Sequence, residues 1–454
     1  MTRVLCSRAP RKAANGPQRE GLSAAREPTG DRNYHRALGV NPRRVRTADQ
    51  GLAVRCLAMV AILALASGCR ATAETTSPSS PPVLGIDWGR TLGFERPPNF
   101  LETVAPDFQQ VHPILRFAGQ AILADVIDVG GTLVAVGYVP PDWTPASWTS
   151  SNSLDWAYHP FGSTAFTFPV ALTSGPGGAL VAVGRRVHDP VAWTSSDGAS
   201  WQLHDVSILG GTAAERMTAV TATDFGYLAG GSAGPELFER HARFWTSGDG
   251  VTWDPVADDQ ATFADAEVTA ITTLGNGFVA VGVLGPAQHH TGGVAWTSPD
   301  GQRWTRIDDP AFDDAVVSSV IVSPFGGVLA VGSNIEKKAA LAWTSADGQH
   351  WQRITAGDYG DKRNLWMTDV AAVRDRVVGV GTAQATQRAS ATAWVSTDGV
   401  HWEQAHPSPI FEQVELLAVT AGGPGAVAVG VFGGPDSAVP RVLLTPGLGD
   451  LKQP

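Results

Sequence analysis

At 454 residues the chain has room for two or three ordinary domains, or for one large repeat array. Its formal charge of −10 is unevenly spread. Residues 1–68 hold 12 of the 33 Lys and Arg but only four of the 43 Asp and Glu, which leaves 21 basic against 39 acidic side chains, a net of −18. So acidic a body excludes nucleic acid as the expected partner, because phosphate binding needs the opposite sign. It suits solubility outside the cell. The three cysteines, Cys6, Cys56 and Cys69, all precede residue 70, so the body has no internal disulfide and must be held by its own core.

In chain order, residues 1–50 are Arg-rich and without periodicity, and they are too long for a simple signal-peptide n-region. The reading is a start site placed too early, with the true one near Val54. Residues 57–68 form an apolar run after Arg55 that is too short for a membrane-spanning helix and matches a signal-peptide h-region. The following Ala66-Ser67-Gly68-Cys69 resembles a bacterial lipobox. That resemblance implies cleavage after a leader of residues 1–68 and a lipid on Cys69. The expected address is an extracytoplasmic membrane lipoprotein, held to the membrane by its lipid alone. Residues 69–82 then read as a Pro/Ser/Thr-rich tether. Residues 83–106, with Trp88, form an N-terminal extension.

The rest of the chain repeats one pattern. Six pairs of Trp stand eight residues apart, from Trp148-Thr-Ser-Ser-Asn-Ser-Leu-Asp-Trp156 to Trp394-Val-Ser-Thr-Asp-Gly-Val-His-Trp402, and they take 12 of the 15 Trp. Upstream of each pair runs a short apolar stretch ending in Gly: Gly137, Gly184, Gly230, Gly282, Gly332, Gly381 and, without a Trp pair after it, Gly430. The period of about 45–52 residues suits a blade-sized unit. Within 217–257 the pattern predicts four strands, at 217–223, 227–230, 243–246 and 252–256, with no room for helices. Seven such units predict an all-β fold, a seven-bladed β-propeller of four-stranded antiparallel blades spanning 107–448, with 449–454 as a tail.

The seventh unit offers a third strand at 441–445 and no fourth. An open edge is a liability. In the complete units the fourth-strand Trp stands 28–30 residues before the next Gly, and counting back 29 from Gly137 lands on Phe108. The expectation is that residues 107–112 close the last blade.

The turn of each Trp hairpin holds Ser-x-Asp-Gly, with Asp197, Asp249, Asp300, Asp347 and Asp398 set to accept backbone N–H groups and the following Gly supplying positive φ. These residues resemble the Asp-box (BNR) repeat of sialidase-like propellers, Ser-x-Asp-x-Gly-x-x-Trp. Here Gly follows Asp directly, and the first copy has Asn152 and Ser153 instead. The resemblance implies a structural role for these Asp and Trp. It also implies, for a sialidase, three arginines, a Tyr/Glu pair and an Asp acid. No Arg-Ile-Pro is present, and Tyr359 is the only Tyr with charge beside it. No catalytic set, metal motif or cofactor is predicted.

The loops joining strand two to three, and strand four to the next unit, share one face. On it the candidate binding residues are Arg185, Arg186, His188, Arg240, Arg243, His289, His290 and Arg388, beside acidic loops such as Asp258-Asp259, Asp308-Asp309 and Asp313-Asp314. The reading is a monomeric, non-catalytic module that binds a protein or glycan. The alternatives are a sialidase-like or other glycoside hydrolase, and an assembly factor for a membrane complex.

Overall fold

The computed structural model describes residues 120–444 apart from 154, 163, 207–213, 237–238, 258, 287–288, 338, 359–363, 385–388, 406–410, 424 and 434–437. The leader, Cys69, the tether, the extension with Trp88, the closing segment 107–112, Asp258, Tyr359, Arg388 and the tail 449–454 lie outside the described residues.

Strands alternate with tight turns throughout. They form seven antiparallel sheets, each built from consecutive strands: six of four strands and, among the described residues, a last one of three. The first strands of the sheets are Ile122–Val129, Thr167–Ser174, Ala214–Thr223, Ala266–Leu274, Ala315–Val322, Asn364–Val373 and Val414–Gly422. Each packs against the first strand of the next sheet, and the seventh packs against the first. The first strands therefore surround an axis.

The core lies between the sheets. Seven buried apolar clusters each join two consecutive sheets, and one of them unites Val126, Leu133 and Trp148 with Val427, Val429 and Val442 at the seam. There Ala121 N–H also donates to the Ala438 carbonyl at 2.9 Å. The molecule is a seven-bladed β-propeller. Small and β-branched side chains in the first strands suit this crowding.

The recurring Gly of strand two has a steric cause. Every first strand carries a β-bulge at the same level, for instance between Leu123 and Asp125 or Val317 and Ser319. The bulge drives a first-strand carbonyl against the partner strand. A Cβ at Gly137, Gly184, Gly282, Gly332, Gly381 or Gly430 would lie 1.9–2.1 Å from that oxygen. In blade three the residue in this position is Gly231, 1.9 Å from the Arg216 oxygen, and not Gly230, which faces Val268 and Ile271 of blade four. The sequence reading chose the first of two adjacent glycines.

Blade three also has longer inner strands than the pattern predicts, Gly226–Glu236 and Glu239–Ser247, and a fourth strand of only Asp254–Pro255. The fourth strand starts late because Trp253 belongs to the turn, where its Nε1 donates to the Gly250 carbonyl at 3.0 Å.

The hairpin turns repeat one geometry. Asp249 Oδ1 accepts the N–H groups of Val251 and Thr252, each at 2.8 Å, while Ser247 Oγ accepts that of Gly250 at 2.8 Å. Asp197, Asp300, Asp347 and Asp398 make the corresponding bonds. The turn Gly has φ of 73–77° in five copies, and Ser153 takes the same conformation at φ 61° in blade one.

Each turn rests on the preceding blade. A Cβ on Gly348 would meet Val279 and Thr297, and the Trp304 ring stacks on Phe244 at 3.9 Å. The first Trp of each pair is wholly or almost wholly buried. A ring of about 200 Å² contributes about 5 kcal/mol at 25 cal/mol per Å². The Trp pairs thus serve both the blade and its neighbour.

Candidate functional site

Antiparallel order puts the strand one–two and three–four turns at one end of the ring. The strand two–three and four–one connections lie at the other, which is called the loop face here. Between blades two and three on that face, Arg185, His188, Glu215, Arg216 and Arg240 line a cavity of roughly 30 Å³.

Arg185 ends the second strand of blade two. Its guanidinium lies 5.2 Å from the Phe168 ring centroid, and its Nη1 donates to the Val187 carbonyl at 3.1 Å. Arg240 opens the third strand of blade three and Arg216 lies in its first. Both donate to Glu267 Oε2, the carboxylate supplied by blade four. Arg240 and Glu267 are buried, at 6% and 7% exposure.

The electrostatics follow from that burial. Desolvation opposes the Glu267 charge, but Arg216 and Arg240 outweigh it and hold the carboxyl below its usual range. Desolvation also lowers Arg240, against the pull of Glu267 and aided by Arg216. Burial likewise lowers His290, with Glu267 opposing. Further round the mouth, Lys337 Nζ lies over the Trp366 ring at 4.9 Å. Burial lowers Lys337 and raises Glu415, and each counters the other's shift.

Of the predicted residues, Arg185, His188 and Arg240 come together at one cavity. Arg186 turns to Asp205 at 2.8 Å, on the exposed outer strand of its blade. Arg243 lies three residues after Arg240 on the same strand, opposite Gly231, and its buried Nε has no hydrogen-bond partner among the described residues. His289 is exposed, and His290 is half-buried with Nδ1 unpartnered among the described residues.

Several acids of the four–one loops are structural. Asp259 caps the short helix Gln260–Phe263 by accepting from Ala261 N–H at 3.2 Å. Asp309 accepts from Ala311 N–H at 2.8 Å and from Trp351 N–H at 3.0 Å. Among the described residues no three His, Cys, Asp or Glu gather closely enough to hold a metal ion.

Arg216, Glu267, Trp366 and Glu415 are the residues that sequence reasoning missed. They occupy one repeated position, two residues before the bulge, where the other blades have Ile122, Phe168 and Val316. The signal was the register against the strand-two Gly. Counted from that Gly, the polar exceptions stand out from the apolar ones.

No family model matches the chain, and no curated protein matches it. Among solved structures, YCF48 bound to a D1 peptide is 13% identical over 74% of this chain and 94% of its own, with a TM-score of 0.48. Phage phi92 endosialidase is 11% identical over 72% of this chain and 68% of its own, with a TM-score of 0.43. Trypanosoma rangeli sialidase is also 11% identical, over 72% of this chain but 55% of its own, with a TM-score of 0.42. The comparisons assign no family. Likenesses this distant carry no argument about what the chain binds or does.

Proposed function

We propose that this chain is a lipid-anchored extracytoplasmic propeller that acts as a non-catalytic binding module, taking an acidic group of a protein or glycan at its loop face. The observation that carries the reading is the cavity lined by Arg185, His188, Arg216 and Arg240 on an otherwise acidic body. Fixed guanidinium groups suit planar carboxylates, and partial burial strengthens each charge-assisted bond. Glu267 and the cavity-lining Glu215 offset part of this charge, and Glu267 fixes two of the arginines in place, so the site is preorganised. The Ser-x-Asp-Gly turns, read as variant Asp-boxes, lie at the opposite end and serve the blades. Tyr138, Tyr158 and Tyr227 are 1%, 7% and 4% exposed, and Tyr359, the Tyr with charge beside it, lies outside the described residues.

The test is a screen of the purified chain against acidic peptides and uronate- or sialate-bearing glycans, followed by Arg185→Glu. Binding is expected to weaken at least about tenfold, with thermal stability unchanged. Unchanged affinity refutes the site, and turnover of a glycan refutes the non-catalytic reading. The anchor is tested separately: Cys69→Ala is expected to release the chain from the membrane fraction, and retention there overturns that part.

A further inference from the structure

A second cavity, of roughly 460 Å³, opens at the other end of the ring, between the turns of blades two and three. It takes no part in the loop-face site. Val181, Thr194, Ser196, Gln202, Tyr227 and Asp249 line it. The blade-three hairpin turn forms one wall, for a Cβ on its Gly250 would meet Val181, Thr194 and Tyr227. Gln202 pairs with Thr194 across the outer strands, so the two stand on the same face. Ser196, Gln202 and Asp249 are exposed.

Other interfaces are closed here by side chains that this one lacks. Phe225, in the strand one–two turn of blade three, covers the hairpin turn of blade four, 3.2 Å from where a Gly301 Cβ would stand. Phe325 of blade five covers Gly399 of blade six at the same distance. The corresponding turn of blade two, Ser174-Gly-Pro-Gly-Gly-Ala179, has no aromatic. Its Gly175 makes room for the Tyr227 ring, since a Cβ there would lie 2.2 Å from the Tyr227 hydroxyl. Between blades three and four, Gln302 Nε2 also spans the gap to Thr246 Oγ1 at 2.9 Å. In blade three Val251 stands in place of Gln302, and Thr194, the counterpart of Thr246, bonds His204 Nε2 at 2.8 Å instead.

Asp249 brings a free carboxylate oxygen to the cavity. Its Oδ1 is committed to the turn amides, as in the other hairpins. In blades four, five and six the second oxygen, Oδ2, bonds a basic side chain three residues on: Arg303 Nε at 2.8 Å, His350 Nδ1 at 2.8 Å and His401 Nδ1 at 2.6 Å. In blade three that position is Thr252. Among the described residues the one side chain that donates to Asp249 is Ser247, and it donates to Oδ1. The N–H groups of Thr252 and Val251 hold the carboxyl below its usual range, so it stays charged. The sister turns thus show the chemistry that this oxygen takes, and blade three leaves it without a basic partner of its own.

We propose that this cavity is a second binding site, which takes a basic side chain, Arg or Lys, of a partner protein with its cationic head on Asp249 Oδ2. The site is independent of the acidic group proposed for the loop face. The Gln202 amide oxygen and the Ser196 hydroxyl offer the head further acceptors. The aliphatic stem of the basic residue would lie along the floor made by Val181 and Tyr227. An exposed ion pair alone contributes little. The cavity adds the shape that a bare surface carboxylate lacks, and the acidic body favours the approach of a basic partner.

The experiment is nuclear magnetic resonance of the full chain with isotope-labelled Tyr rings. The chain has five Tyr, and Tyr227→Phe assigns the signal of the one in the cavity. Nα-acetylarginine methylamide and Nα-acetyllysine methylamide are titrated in, with the neutral citrulline analogue as control. A basic probe is expected to shift the Tyr227 signal saturably below about 50 mM, with Tyr138 and Tyr158 unmoved and citrulline without effect. Asp249→Asn is expected to weaken the response at least about fivefold. The turn should survive that change, because Asn152 holds the same position in blade one and accepts the Asp155 N–H at 2.8 Å. Thr252→Arg, at an exposed position, gives Oδ2 a cation of the chain's own, as Arg303 does for Asp300. It is expected to abolish the response with thermal stability unchanged, and it decides the matter if Asp249→Asn does not fold. No saturable shift, an equal response to citrulline, or an undiminished response in either variant overturns the proposal.

Discussion

Gly332→Ala tests the steric account of the repeat. A Cβ there would stand 2.0 Å from the Val316 oxygen and 3.1 Å from the Val317 Cα, against ordinary contacts of 3.4 Å or more. The obstacle is backbone on both counts, so no side chain can swing aside. Either the first strand of blade five withdraws or the second tilts, and the pairing of Val317 with Gly332 opens. Overpacking of this kind costs about 1–3 kcal/mol, and each ladder hydrogen bond lost adds about 1 kcal/mol. A loss of about 3 kcal/mol is expected.

Gly326→Ala is the control. It has φ 105° and open space around its Cβ, so only the backbone preference is lost, about 1–2 kcal/mol. Urea unfolding followed by Trp fluorescence reads both, because Trp343 and Trp351 lie in the same blade. If Gly332→Ala costs less than Gly326→Ala, the carbonyl contact is not the reason for the repeated glycine.

Glu267→Ala should destabilise by about 3–5 kcal/mol, since it leaves Arg216 and Arg240 buried without an anion, whereas replacing Glu267 and Arg240 together by Met should recover much of this; a chemical-denaturation series on the single and double variants checks it. Because the Glu267 carboxyl is held below its ordinary value, its contribution is present above that value and is lost as pH falls through the folded one. An acid titration of stability in which wild type and Glu267→Gln run parallel below about pH 5 would contradict the pairing. Deleting residues 107–112 should leave Val439–Leu444 as an open edge, lowering the thermal midpoint and promoting association, both readable by scattering during a melt. An unchanged melt would mean that another segment, or none, completes blade seven.

The sequence by itself determined the number of blades, their four-strand plan and the turn geometry. These depend on contacts repeated within each unit: Asp347 with the amides three residues on, Trp351 with Gly348, and the strand-two Gly with its own hairpin partner. Local interactions leave a periodic trace, and seven copies make it legible. Only the tertiary structure decided which loop-face residues meet. Arg240 and Glu267 lie 27 residues apart in different blades, and Arg185 and Arg216, also from different blades, line one cavity. Such contacts occur once each and follow from the closure of the ring, so no period betrays them. Arg185 and Arg186 show the same divide, for adjacent side chains on a strand point to opposite faces. Only the placed strand told which arginine lines the cavity and which one turns to Asp205.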